Sequence, residues 1–208
     1  MDAIETDRLV LRNFRIGDAA DLYAYLNEPR ASCFLSLKLE DMGAAEAEAE
    51  ERSRSDEHIA VCLKDSGKLI GDLFAMPEED TFSVGWNFNA DFGAHGFAAE
   101  AARAMFAYLF TVRHARRLYA YVEDHNVASR RLCERLGMRQ EGLFIEFVSF
   151  KADDNGNPIF ENTMQYAILR KEWGNTAASR DALIPPPCHQ HHAAQAEVRN
   201  RGQRSNRQ

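Results

Sequence analysis

The 208-residue chain contains no run of about 18 apolar residues, so no membrane-spanning helix is expected. Cys33, Cys62, Cys133 and Cys188 are scattered without paired spacing, which argues against a disulfide framework or a zinc site. The opening residues, MDAIETDRLVLRNF, are charged from the first turn and lack the apolar centre of a signal peptide. These absences together place the chain, as an expectation, in the reducing cytoplasm. Positive charge is outnumbered outside the C-terminus. The formal net charge is −7, and Gly174 to Gln208 carries five arginines against Asp181 and Glu197, leaving −10 on the rest. An acidic body is a poor nucleic-acid surface and favours cationic partners such as amines, although solubility alone is the plainer explanation.

The best-organised stretch is Ser83 to Phe110, SVGWNFNADFGAHGFAAEAARAMFAYLF. Val84, Trp86 and Phe88 alternate with small or polar residues, the period of a half-buried strand. Asn89, Asp91, Gly93 and Gly96 are turn formers. From Phe97 the period becomes helical, with Phe97, Ala101, Met105 and Tyr108 or Leu109 on one face. No Ser, Thr, Asp or Asn stands immediately before this helix. The N–H groups of Gly96, Phe97, Ala98 and Ala99 therefore lack an obvious side-chain acceptor and, at the positive end of the helix, form an anion site open to a phosphate. A plain strand-to-helix turn explains the glycines equally well when they are taken alone.

Around this centre, Thr6 to Phe14 reads as an opening strand, Ala19 to Leu26 as a helix started by Gly17-Asp18, and Phe34 to Leu39 as an extended segment. Glu40 to Arg54 is an Ala/Glu-rich helix with little apolar face, expected to lie solvated on the surface, with a mobile lid or substrate wall as the lesser alternative. Ile59–Lys64 and Lys68–Phe74 flank Asp65-Ser66-Gly67 as a hairpin, and a second hairpin passes through Pro77 to Asp80. Arg117 to Glu123 alternates as a central strand. Asn126 to Leu136 is helical and closed by Gly137. Gln140–Lys151 and Asn162–Leu169 are closing strands. Hydrophobic residues make up 45% of the chain, with 13 Phe, enough for one substantial core. Beyond Trp173 the periodicity ends. Residues 174–208 are expected to form a disordered basic tail, in which Cys188, His189, His191 and His192 read as an adventitious metal site at most.

FGAHGFAAEA resembles the acyl-CoA pyrophosphate loop of the GNAT N-acetyltransferase superfamily, written Gln/Arg-x-x-Gly-x-Gly/Ala. Gly96 and Ala98 match its last two defined positions, while Gly93 stands where Gln or Arg is usual. NVASRRLCERLGM resembles the superfamily's second cofactor element, with Met138 in place of the usual Phe. TDRLVLRNF and the helix after it resemble the ribosomal-protein N-terminal acetyltransferase branch, and ENTMQYAILRKEW resembles the family's final strand. The resemblance spans about residues 6–173 and implies one GNAT domain over 1–173. Its α/β (α+β) fold has a mixed, mostly antiparallel sheet of six to seven strands, splayed centrally and flanked by helices.

That resemblance implies acetyl-CoA as co-substrate, bound by Trp86, Phe88, Gly93, Ala94, His95, Gly96, Phe97, Ala98, Ala99, Asn126, Ser129 and Arg130. Pantetheine would pair with backbone groups at Phe88 as an added strand and with Asn126, whose simpler role is a helix cap. Amide donors handle the diphosphate charge, so no metal is required. The implied activity is an acyltransferase reaction, with direct attack by an amine on the thioester. A free α-amine, pKa near 7.8, is roughly one part in seven neutral at pH 7, whereas a lysine amine near 10.4 is only about 0.04% neutral. A protein N-terminus or weakly basic small amine thus needs little help, and lysine needs a dedicated base. Glu123 and Glu146 are the base candidates, and Glu100 supports the helix dipole. Cys133, seven residues after Asn126, stands where several relatives carry a tyrosine acid and could return a proton to the leaving thiolate, or could be a small buried hydrophobe. A non-catalytic acyl-CoA sensor is the alternative, motivated by Gly93 and the missing tyrosine. Nucleic-acid binding through the tail ranks third, and an exposed sheet edge leaves room for a homodimer.

Overall fold

A computed structural model describes residues 1–29 and 31–174. Eight strands form one sheet: β1 (Ile4–Glu5), β2 (Leu9–Asn13), β3 (His58–Leu63), β4 (Leu69–Glu78), β5 (Thr81–Phe88), β6 (Arg117–Glu123), β7 (Arg139–Ala152) and β8 (Pro158–Leu169). Their spatial order is β1-β2-β3-β4-β5-β6-β8-β7, antiparallel throughout except where β5 meets β6. Four α-helices of eight or more residues flank the sheet among the described residues: α1 (Ala19–Leu26), α2 (Met42–Ser53), α3 (Phe97–Thr111) and α4 (Val127–Arg135).

The period of two in β3 divides the core. Ile59 and Val61 join Leu9, Leu11, Ile70 and Leu73 beneath α3 and α4, whereas Ala60 and Cys62 face the cluster made by α1 and α2. Helix α3 presents Ala101, Ala102, Met105, Phe106, Leu109 and Phe110 to the sheet, and Trp173 packs against Phe106 and Phe110. Phe97 and Tyr108 are only partly buried, so the core face is rotated from the expected stripe toward the two phenylalanines.

Three expectations need correction. The sheet has eight strands rather than six to seven, because the chain turns between Thr6 and Leu9 and Ile4–Glu5 pairs back on Val10 and Leu11. Phe34 to Leu39 is not extended: Ser32–Leu37 forms a 3-10 helix, with Phe34 N–H donating to the Ala31 carbonyl and Lys38 N–H to that of Leu35. Its start is pinned to the far half of the sheet by Ser32 Oγ on Glu161 (2.6 Å) and Cys33 N–H on Glu123 (3.1 Å), which commits it to a turn over β6 and β8. Helix α2 is not merely a solvated surface helix. It buries Ala45, Ala49 and Arg52, one stripe whose residues score weakly as apolar, and packs them with α1 against the sheet.

Strands β5 and β6 pair in parallel only at Thr81–Arg117, Phe82–Leu118 and Ser83–Tyr119. Beyond that point β5 continues along β4 and β6 along β8, so residues 84–88 and 120–123 have no partner across the gap. This opening places the candidate site.

Candidate active site

Two cavities meet at the parting of β5 and β6, sharing Phe34, Trp86, Asn87, Asn126 and Ser129 in their walls. Trp86 Nε1 donates to Ser129 Oγ at 3.1 Å, a bond that joins β5 to α4 across the opening.

The first cavity, about 540 Å³, runs from the opening to the start of α3. Its walls gather Trp86, Phe88, Gly93, Ala94, His95, Gly96, Phe97, Ala98, Ala99, Asn126 and Ser129, eleven of the twelve residues expected to hold a cofactor. Gly96 precedes the helix with φ of +80°, a left-handed conformation that a Cβ would strain, and no side chain caps it. Ala94 is also left-handed, at φ +63°. The N–H groups of Ala99 and Glu100 return to the Gly96 carbonyl, while among the described residues those of Gly96, Phe97 and Ala98 meet no acceptor. Three bare donors at the positive end of a fifteen-residue helix suit an anion.

Glu100 does more than complement the dipole. It accepts from Thr6 Oγ1 (2.6 Å), Arg8 N–H (3.0 Å) and Arg8 Nε (2.8 Å), fastening the entry of β2 to the first turn of α3. Burial pushes its carboxyl up, but these hydrogen bonds outweigh burial and hold it below the usual carboxylate range. Arg8 also donates to the His95 carbonyl and lies 4.5 Å from the Phe97 ring centroid, which puts a cation beside the glycine loop. Sequence reasoning missed Arg8, because its partners lie some ninety positions away.

Asn126 is the cap of α4, accepting from Ser129 N–H at 3.1 Å through Oδ1, and it lines both cavities. Arg130 is the expected residue that does not join: its guanidinium donates to the Asp124 carbonyl, and Arg135 lines the cavity instead. Asn87, whose buried Nδ2 has no hydrogen-bond partner and which lines both cavities, was also missed. It lies between Trp86 and Phe88 in a strand pattern that reads as packing alone.

The second cavity, about 380 Å³, lies on the other side of the opening, among Cys33, Phe34, Leu37, Arg52, His58, Asp72, Phe74, Trp86, Tyr121 and Glu123. Gly85 is required here: a Cβ would lie 2.1 Å from the Phe74 ring, which crosses that position. Glu123, at the end of β6, is only 4% exposed and accepts the Cys33 N–H. Burial first, and the neighbouring Glu123 second, push the Cys33 thiol far above the ordinary thiol range, so it stays protonated.

The remaining catalytic candidates are not brought here. Cys133 is fully buried among Leu132, Leu136 and the sheet, lines neither cavity, and burial raises its thiol to about 12. It is a core residue, and the proton-donor role expected of it is withdrawn. Glu146 is exposed in an irregular stretch of β7 at φ +48°, its N–H donating to Asn162 Oδ1, and it too lines neither cavity. Expectations on the basic tail and its Cys/His group lie outside the described residues. Among those described, no group of His, Cys, Asp or Glu is arranged to hold a metal, and no helix is long and apolar enough to cross a membrane.

Comparison with known proteins agrees with this architecture. The family described as "Acetyltransferase (GNAT) domain" matches residues 8–139. An uncharacterised N-acetyltransferase of Bacillus subtilis (strain 168), YnaD, is 30% identical over 173 residues, covering 82% of this chain and 98% of its own. The crystal structure of a GNAT-family acetyltransferase from Bacillus anthracis superposes with a TM-score of 0.74 at 26% identity, over 82% of this chain and 99% of that one. A ribosomal-protein-S5-alanine acetyltransferase from Vibrio fischeri shares the fold at a TM-score of 0.65 and 16% identity, over 83% of this chain and 99% of that one. It is one of several such neighbours, so no branch is singled out. With the match covering most of the chain and the splayed sheet in place, this protein belongs to the GNAT family of N-acetyltransferases.

Proposed function

We propose that this enzyme moves an acetyl group from acetyl-CoA to a primary amine, with Glu123 as the general base. The observation that carries the reading is the position of Glu123: a buried carboxylate in the wall of the second cavity, beside the opening where the first cavity, with its uncapped helix, ends. The first cavity fits the cofactor, since Gly96, Phe97 and Ala98 offer backbone donors to a diphosphate and their small neighbours admit close approach. Acetyl-CoA, when bound, supplies the activated thioester carbonyl.

The chain's own residues do the rest. The acidic wall draws in a protonated amine, and Glu123 accepts one proton from it, directly or through a water, leaving the nitrogen lone pair free to attack. As the new C–N bond forms, the C–S bond breaks and the electron pair leaves with sulfur. The second proton of the attacking nitrogen passes to the departing thiolate or to water, leaving a neutral amide. A thiol, with an ordinary pKa of about 8.5, is a competent leaving group without a dedicated acid. The Cys33 N–H holds one oxygen of the carboxylate in place. A buried base at the reaction site favours turnover over the non-catalytic sensor.

Titration with acetyl-CoA and CoA, followed by thiol release over a library of amines and peptide N-termini, tests the reading. Saturable acetyl-CoA binding with amine-dependent CoA release is expected. Absence of binding near 1 mM, or hydrolysis alone with every amine, would remove it.

A further inference from the structure

The second cavity has an inner wall that the proposed reaction does not use. Arg52 of α2, His58 of β3 and Asp72 of β4 stand there together, opposite the end that holds Glu123, Asn126 and Ser129. Arg52 is 2% exposed and Asp72 3%. The Arg52 Nε donates to Glu48 at 2.7 Å, Asp72 Oδ2 lies 3.2 Å from Arg52 Nη1, and Tyr25 donates to Asp72 Oδ1 at 2.8 Å. Arg52 Nη1 is held only by that ion pair with Asp72, without a well-aligned hydrogen bond, and His58 Nδ1 makes no hydrogen bond at all. Leaving a buried polar atom unsatisfied costs about 1–3 kcal/mol. His58 Nδ1 is such an atom, and with the Arg52 guanidinium on the same cavity wall it points to a ligand group that completes this polar end.

The charges define that group. Arg52 is already balanced by Asp72 and Glu48, and burial, then the nearby guanidinium, lower the His58 pKa and keep the imidazole neutral. With Glu123 included, the cavity lining carries more negative than positive charge, which repels a carboxylate. A neutral oxygen can use the Arg52 N–H and either tautomer of His58 without adding charge. Phe34, Phe74, Met76 and Tyr121 make the wall between the two ends apolar. The space of about 380 Å³ equals that of about a dozen waters, room for a small molecule or the first residue of a chain.

Accepting the acetyl-transfer reading, we infer that the acceptor is a primary amine carrying an uncharged hydrogen-bonding oxygen, an amide or hydroxyl, at the far end of a short apolar spacer. Arg52 and His58 are then residues that determine specificity, and free amino acids are excluded by their carboxylate.

The test is a matched series of straight-chain primary amines, assayed by CoA release. The spacer runs from two to six methylenes, and the far end carries a hydroxyl, carboxamide, methyl or carboxylate. For one spacer length, kcat/KM for the hydroxyl or carboxamide should exceed that for the methyl by at least about tenfold, with the carboxylate poorest. That ratio should fall toward one in His58→Leu and be largely restored in His58→Asn, which keeps a hydrogen-bonding group. Arg52 is left intact in the test, because removing it would strand the Asp72 charge. The native series needs no variant, so a misfolded His58→Leu leaves the inference testable. Equal rates for hydroxyl and methyl at every length, or a preference for the carboxylate, overturns it while acetyl transfer stands. An unchanged ratio in His58→Leu also overturns it. Acetyl-CoA binding without turnover of any member overturns it and returns the acceptor to the wider library. Failure to bind acetyl-CoA at all removes the underlying reading.

Discussion

The two cavities that meet at Trp86 and Ser129 are built from different materials. At the α3 end the working groups are backbone N–H donors, exposed by Gly96 and flanked by alanines, all within a few consecutive residues. At the Glu123 end they are side chains from α2, β3, β4, β5, β6 and the Ser32–Leu37 turn, brought together from positions far apart in sequence. A diphosphate needs only donors and a positive helix end, which any sequence with that loop supplies. Acceptor choice needs shaped walls and particular polar groups, which change with the elements that carry them. On the proposed reading, one end holds the cofactor and the other selects the acceptor.

The sharpest way to separate the two ends is to disable one and measure the other. Glu123→Gln keeps the size of the side chain and its place under Cys33 while removing the base. We expect kcat to fall by about 10²- to 10⁴-fold, the usual contribution of a positioned general base, with acetyl-CoA affinity unchanged. The loss should shrink for amines of lower pKa, which need less deprotonation. An equal loss across acceptors, or an equal loss of cofactor affinity, would make Glu123 a structural residue.

The converse change is Ala98→Asp. A carboxylate in the first turn of α3 complements the helix dipole and should raise stability by about 0.3–1 kcal/mol. The same charge beside a bound diphosphate is repulsive, and acetyl-CoA affinity should fall at least about tenfold. Opposite signs in a thermal melt and a titration locate the anion at this turn. Unchanged affinity would place the cofactor elsewhere.

This contrast also explains what could be read before the fold was seen. The strand–loop–helix from Thr81 to Thr111 and β6 over Arg117–Glu123 were legible because glycine loops and hydrophobic periods are local. Eleven of the twelve residues named from the strand and the two short motifs line one cavity. Arg130 failed because the helical turn that carries it directs its guanidinium back to the Asp124 carbonyl, and one turn later Arg135 takes the wall. Arg52 and His58 could not be read, since an arginine at the end of an Ala/Glu-rich helix and a histidine opening a strand carry no local signal. Their proximity depends on α2 lying over β3 and β4.

Cys133 marks the limit of transferring a role by position. Spacing from Asn126 matched, but the side chain points into the core. Cys133→Ala should therefore leave kcat within about twofold and cost about 1 kcal/mol of stability as a small core truncation. A large fall in kcat with normal stability would restore the proton-donor role.

The smallest effect concerns the clasp that holds the cofactor end together. Glu100 has its carboxyl held below the usual range by Thr6 and Arg8, against the opposing effect of burial. A depressed folded pKa means stability that is fully present above the unfolded value, near 4.5, and lost as pH falls through the folded one. Native protein should melt above Glu100→Gln at pH 7, with a gap that stays level down to about pH 5 and closes below it as the native carboxyl takes up its proton. Acetyl-CoA affinity should move only slightly, because the clasp touches the loop through Arg8 and the His95 carbonyl rather than through the bare donors. A gap that is constant from pH 7 to pH 3 would mean that the charge contributes nothing, and that Glu100 acts through shape and neutral hydrogen bonding.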